Sequence, residues 1–76
     1  MREEILKILT EICPDVNFEE ETALIDESVL DSFAVIQIVT EIMEHFNIYI
    51  DADDIEPENL NSLDAICQMV QNKLAS

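Results

Sequence analysis

Glycine is absent from this 76-residue sequence, and basic residues are scarce. Without glycine, turns and helix caps must be formed by Asn, Asp, Ser and Pro. Three Lys and Arg residues face eighteen Asp and Glu residues, and no Lys or Arg lies between Ile8 and Asn72. The resulting negative electrostatic field repels nucleic acid and anionic lipid, and it steers association toward basic surfaces. We therefore expect protein partners with a basic docking surface and no nucleic-acid partner.

The sequence also lacks a long apolar run. About half of its residues are apolar, but no run approaches the ~18 residues that a membrane-spanning helix needs. The chain starts Met1-Arg2-Glu3-Glu4, with acids where a secretory signal would have a basic stretch and then a long apolar one. We expect a cytoplasmic protein with no membrane insertion.

Cysteine and histidine are too few for most chemical sites. Cys13 and Cys67 cannot form a disulfide framework, and free cysteines in helices usually behave as small buried hydrophobes. No C-x-x-C or Cys/His cluster suggests zinc. The acids that start at Asp51 do not match a calcium-binding EF-hand loop, because the sixth position is Glu56 where glycine is required. No metal site is predicted.

Apolar residues at helical spacing predict a folded chain, although acidic chains with few aromatics are often disordered. The first helix is predicted over Arg2–Ile12 and ends before Pro14. Residues 15–30 then form a long connection, in which a helical turn at 20–24 is considered. Apolar side chains should hold this connection against the helices. These are Val16, Phe18, Leu24, Ile25, Val29 and Leu30.

The second helix is predicted over Ser32–Phe46, with Asp31 as its N-cap. One narrow side of it carries the residues expected in the core, which are Val35, Ile38, Val39, Ile42 and Phe46. A second side carries apolar residues that the core does not need, bordered by acids, and we call it the docking face. It consists of Phe33, Ile36, Gln37, Thr40, Glu41, Met43 and Glu44. In the alternative interpretation, Ile36 and Met43 belong to a wider core. This alternative applies more to Met43 than to Phe33, which lies on the far side of the helix from Val35.

The segment after the second helix is predicted to be extended and then briefly helical. Asn47 can take the left-handed conformation that ends a helix. Residues 48–50 have strand-like composition, but no second strand is available, so we predict a connection. A short third helix is expected over residues 51–56, ended by Pro57.

The final helix is predicted to start at a cap formed by Asn61 or Ser62 and to run to about Leu74. Asn61 and Asp64 resemble a capping pair, although Glu or Gln is more usual at the second position. The apolar residues at helical spacing are Leu63, Ile66, Cys67, Val70 and Leu74. Together, the predicted helices indicate an all-α fold.

Asp31-Ser32 alone would indicate only a helix cap, but its surroundings indicate more. The stretch Val29-Leu30-Asp31-Ser32-Phe33 resembles the 4′-phosphopantetheine attachment site of acyl and peptidyl carrier proteins. Ile48-Tyr49-Ile50 with Asp53-Asp54-Ile55 resembles the segment leading into that family's short third helix. Pro57-Glu58-Asn59-Leu60 resembles the approach to its last helix. The resemblance is to stand-alone carriers and covers essentially the whole chain.

The resemblance implies a small four-helix carrier-protein bundle, with three main helices, one short helix and a long first loop, as a single domain over residues 1–76. It implies that Ser32 bears a covalent 4′-phosphopantetheine arm and that Asp31 assists recognition and metal-assisted transfer by the modifying enzyme. Cargo would be held on the arm as a thioester. The implied partners are a phosphopantetheinyl transferase and an acyl- or aminoacyl-activating ligase or synthase. A monomer is expected.

Two departures from the family pattern concern the cargo. Phe33 is followed by Ala34, and no glycine precedes the site, unlike many fatty-acid carriers. A housekeeping fatty-acid role is therefore not implied. Fatty acyl, D-alanyl, other amino acid and polyketide cargo all stay open.

Enzymatic activity is not expected. A serine nucleophile needs a base within hydrogen-bond reach. The only histidine, His45, is thirteen residues further along the same predicted helix, about 20 Å away. The alternative to a carrier is an acidic helical adaptor without a prosthetic group, which would not need the hydroxyl of Ser32.

Overall fold

The computed structural model describes residues 1–25 and 30–75, and all regular structure in them is helical. A short 3-10 turn over Ala52–Asp54 precedes the third helix. The α-helices are α1 (Arg2–Ile12), α2 (Ser32–Phe46), α3 (Pro57–Leu60) and α4 (Leu63–Ala75). The predicted all-α bundle of three main helices and one short helix is confirmed.

One apolar core joins the long helices to the first loop. Each long helix contributes residues that are fully or almost fully buried, which are Ile5 and Leu9 from α1, Ile38 and Ile42 from α2, and Ile66 and Val70 from α4. Cys67 is also buried and Cys13 is half-buried, and burial raises the pKa of both thiols. Both cysteines therefore act as apolar residues, as predicted.

The first loop is held to the bundle by its apolar residues and by hydrogen bonds. Phe18, Leu24 and Leu30 are buried in the core. The backbone N–H of Leu24 donates to the carbonyl of Asn61 at 2.9 Å, and the N–H of Ile25 donates to the Asn61 Oδ1 at 2.9 Å. Residues 20–24 form turns and bends, so the helical turn considered there is absent. Val29 lies outside the described residues.

The ends of α2 follow from local sequence. The Asp31 Oδ1 accepts a hydrogen bond from the N–H of Ala34 at 2.8 Å, so Asp31 caps the helix as predicted. At the other end Asn47 has φ 55° and ψ 49°, the left-handed conformation that a glycine-free chain gives to asparagine. The N–H of Ile48 then donates to the carbonyl of Met43.

The prediction that Pro57 ends a short helix over residues 51–56 is wrong. The helical part of that segment is only the 3-10 turn, which the Asp51 carboxylate caps by accepting from the N–H groups of Asp53 and Asp54. Pro57 instead begins α3. Proline suits the first position of a helix because the N–H that it lacks would have no partner there.

The start of α4 agrees with one of the two predicted caps, whereas its apolar side differs in part from prediction. Ser62 is the cap, because its Oγ accepts from the N–H of Ala65 at 3.0 Å, whereas the Asn61 side chain bonds to the first loop. Leu74 is 49% exposed because the last turn extends beyond the core, and Met69, which was not predicted, is buried. The described residues contain no helix long and apolar enough to cross a membrane.

Two ion pairs and one hydrogen-bonded pair connect the helical elements among the described residues. The ion pairs are Arg2 with Asp64 between α1 and α4, and Lys73 with Asp54 between α4 and the 3-10 turn. The hydrogen-bonded pair is His45 with Glu4, between α2 and α1. The Lys73 Nζ lies 2.5 Å from Asp54 Oδ2 and lowers the pKa of that carboxyl group. Each pair is at least partly exposed, so its contribution to stability is small.

Candidate functional site

Ser32 stands where the chain leaves the core and enters α2. Leu30 is buried, and the next two residues, Asp31 and Ser32, are exposed. Ser32 is the first residue of the helix, and the Asp31 carboxylate is drawn toward the N–H of Ala34 by the capping hydrogen bond. The hydroxyl group of Ser32 is therefore held at the surface by a buried residue on one side and a capped helix on the other.

The position of Ser32 suits an anionic substituent. The first N–H groups of a helix have no partner within the helix, and the aligned peptide dipoles place partial positive charge at that end. Phosphate groups bind such ends in many proteins. The capping hydrogen bond occupies one oxygen of Asp31, which moderates the repulsion between that carboxylate and a neighbouring phosphate.

A groove of about 330 Å³ opens beside Ser32. One wall comes from the start of α2, and the opposite wall comes from the segment that joins the 3-10 turn to α3. Most of its lining is apolar. The described residues that line it are Ile25, Leu30, Asp31, Ser32, Val35, Ile36, Ile55, Glu56, Pro57 and Leu60.

The docking face is exposed on α2, with one exception. Phe33 is 70% exposed and Ile36 is 61% exposed. The polar members are exposed as well, which are Gln37, Thr40, Glu41 and Glu44. Met43 is half-buried and packs against the core. Met43 is thus less accessible to a partner than Phe33 or Ile36, and its part in docking stays a prediction.

The family model described as "Phosphopantetheine attachment site" matches residues 3–70 of this chain. The chain belongs to that family of carrier proteins. The D-alanyl carrier protein of Bacillus cereus (strain B4264) is 33% identical over 57 residues, which cover 72% of each chain. The D-alanyl carrier protein of Bacillus anthracis (strain CDC 684 / NRRL 3495) matches with the same identity and coverage. No solved structure gives a significant match.

As a member of this family, the carrier bears a 4′-phosphopantetheine group. The residues around Ser32 fit that group in two respects. The hydroxyl is exposed at a helix N-terminus, where a phosphodiester finds favourable charge. The adjoining groove offers apolar surface to part of the arm.

The opposite wall of the groove was missed in the sequence. Ile55 is 40% exposed and Glu56 is exposed, and both face the start of α2 across the groove. One available signal was Ile55 itself, an isolated apolar residue among acids directly before Pro57. Ile55 lines the groove only because the 3-10 turn and α3 fold back toward α2.

His45 lies at the far end of α2 from Ser32, and its Nε2 is 2.8 Å from the Glu4 Oε2. That hydrogen bond lowers the pKa of Glu4. His45 thus joins α2 to α1, a role that its sequence position near the helix end did not reveal. Among residues 1–25 and 30–75 no group of three His, Cys, Asp or Glu side chains could hold a metal ion.

Proposed function

We propose that Ser32 is the residue to which the carrier's 4′-phosphopantetheine is attached, and that residues 1–76 act as one monomeric, cytoplasmic carrier domain. The observation that carries this proposal is the exposed hydroxyl group at the first position of α2. Asp31 supports it by capping the same helix and by offering a carboxylate to the modifying enzyme.

Ser32 is modified by a phosphopantetheinyl transferase. The Ser32 Oγ attacks the pantetheine-side phosphorus of coenzyme A and forms a phosphodiester. The P–O bond of the pyrophosphate breaks, adenosine 3′,5′-bisphosphate leaves, and the hydroxyl proton passes to a base of the transferase. When bound, the group supplies a terminal thiol that holds cargo as a thioester. Tethering raises the effective concentration of that cargo at partner enzymes.

The docking face binds the partner enzymes. Phe33 and Ile36 expose most of their apolar surface on the same turn of helix as Ser32, and anchors of this kind supply most of the affinity at interfaces. Glu41 and Glu44 lie further along α2 and meet basic residues of the partner, which mainly raises the association rate.

The chain is a substrate of other enzymes and has no catalytic role of its own. His45, the single histidine of the sequence, lies at the opposite end of α2 and is hydrogen-bonded to Glu4. The cargo is supplied by an adenylate-forming acyl- or aminoacyl-activating ligase. Because similar proteins are named D-alanyl carrier proteins, D-alanine is the first cargo that we propose to test.

The test is the intact mass of the protein after incubation with coenzyme A and a broad-specificity phosphopantetheinyl transferase. The parent protein should gain one phosphopantetheinyl group, and Ser32→Ala should gain none while keeping its helicity. Ser62→Ala, which removes the serine that caps α4, is the matched control and should load. A folded parent that gains no mass, beside a control carrier that does, would favour the acidic adaptor. Loading of Ser32→Ala would move the site elsewhere.

A further inference from the structure

The groove beside Ser32 combines an apolar floor with acidic edges. Seven of its described lining residues are apolar, and the only charged ones are Asp31 and Glu56. No described residue that lines it is basic. The sequence extends this asymmetry, because no Lys or Arg occurs between Ile8 and Asn72. The groove therefore suits a ligand that is partly apolar and carries a positive charge.

The acids of this region differ in how free their carboxylates are. Asp31 uses an oxygen to cap α2, and Asp54 is paired with Lys73 and with the N–H of Asp51. The Glu56 side chain has no hydrogen bond or ion pair among the described residues and is exposed at the edge of the groove. Glu56 is thus the carboxylate that is free to bind a cation there.

The size of the groove indicates how much of a ligand it can cover. A cavity of about 150 Å³ accommodates benzene, so the 330 Å³ beside Ser32 corresponds to about a dozen non-hydrogen atoms. A small amino acid with its thioester and the adjoining end of the arm fits in this volume. A long fatty-acyl chain would extend beyond it.

We infer that this groove holds the thioester end of an aminoacyl cargo and that Glu56 binds the ammonium group of that cargo. The inference rests on the proposed attachment of the arm at Ser32. Pro57 fixes the backbone directly after Glu56, and the pairing of Asp54 with Lys73 ties the preceding turn to α4. Glu56 is therefore positioned by two neighbours and is not part of a free loop.

The experiment compares two cargoes that differ only in the charged group. The ¹⁵N-labelled protein is loaded from D-alanyl and propionyl analogues of coenzyme A in which an amide replaces the thioester, so that neither cargo is hydrolysed. Propionyl has the same carbon skeleton as alanyl but no ammonium group. Backbone chemical shifts of Ile55 and Glu56 are then compared in the parent, in Glu56→Gln and in Glu58→Gln. Glu58 is an acid of the same helix region that does not line the groove, so it is the matched control.

The D-alanyl cargo should shift the Ile55 and Glu56 amides more than the propionyl cargo does, because a partly exposed ion pair raises the ratio of bound to unbound cargo about two- to fivefold. That difference should disappear in Glu56→Gln, persist in Glu58→Gln and decrease as salt is added. Equal shifts with both cargoes, no shifts with either, or equal losses in the two variants would overturn the inference. Intact mass reports separately on the proposed function: a protein that gains no cargo overturns both, whereas a loaded protein without the difference overturns only this inference.

Discussion

Phe33 separates partner binding from folding more clearly than any other residue of the docking face. A fully buried aromatic side chain removes about 150–250 Å² from water. Because Phe33 is 70% exposed, folding covers roughly 45–75 Å² of it, which stabilises the fold by at most about 1–2 kcal/mol. A partner can cover the remaining 105–175 Å², roughly, which is worth at most about 3–4 kcal/mol. Replacing Phe33 by alanine should therefore weaken binding more than folding.

The assay measures the loading of Phe33→Ala by a phosphopantetheinyl transferase, with the carrier below its KM. An anchor of this kind typically contributes about 2 kcal/mol or more to an interface, so kcat/KM should fall about 30-fold. About 1 kcal/mol corresponds to about 4–8 °C in a domain of this size. A loss near the lower end of the range for Phe33 should therefore lower the Tm measured by circular dichroism by about 4–8 °C.

Two control variants are compared with Phe33→Ala, one at an exposed position and one in the core. Tyr49→Ala removes an aromatic side chain that is equally exposed, at 72%, but lies beyond the other end of α2, so loading should not change. Ile42→Ala empties a fully buried position and should destabilise the protein by about 2–5 kcal/mol, which lowers Tm by about 8 °C or more. The reasoning fails if Phe33→Ala lowers Tm as much as Ile42→Ala does, or if Tyr49→Ala slows loading equally.

Three further predictions concern the Asp31 cap of α2, the ion pair between Lys73 and Asp54, and the acids of the docking face. Asp31→Ala should lower the free energy of unfolding measured in urea by about 1 kcal/mol, because α2 loses its cap, whereas Asp31→Asn should cost much less; equal losses would contradict a capping role. Lys73 lowers the pKa of Asp54 below the ordinary value of about 3.9, so the stabilisation is present above that value and is lost as pH falls through the lower folded pKa. Lys73→Met should therefore lower Tm at pH 7 but not at pH 2, and an equal decrease at both would exclude this pair as the cause. Loading should slow as ionic strength rises, and it should slow less when Glu41 and Glu44 are both replaced by glutamine. Loading that does not depend on salt would show that these acids do not raise the association rate.

The long helices could be predicted from sequence because their limits are set locally. The bounds of α2 follow from a capping aspartate at Asp31 and from Asn47, whose side chain tolerates the left-handed conformation better than most. The position of Ser32 at the start of α2 could be predicted for the same reason, since it depends on the residues directly around it. The apolar spacing of α1 and α2 identified the residues that these two helices bury. Three residues on the same apolar sides are only partly buried, which are Ile12, Val35 and Phe46.

The features that were missed depend on contacts between distant residues. A proline can follow a helix or begin one, and Pro57 begins α3 in a segment whose preceding turn is tied to Lys73 in α4. Asn61 and Ser62 are equally good caps by composition, but Asn61 is engaged by Ile25 in the first loop. The groove wall at Glu56 arises from the same long-range folding, and no local pattern could indicate it.

The most direct test of the attachment site is tandem mass spectrometry of proteolytic peptides from the loaded protein. Fragmentation assigns the phosphopantetheinyl group to one side chain among the four serines, Ser28, Ser32, Ser62 and Ser76. We predict that it lies on Ser32 and that the peptides carrying Ser62 and Ser76 keep their unmodified masses. An arm found on Ser28, Ser62 or Ser76 would contradict the assignment of the exposed first residue of α2 as the site.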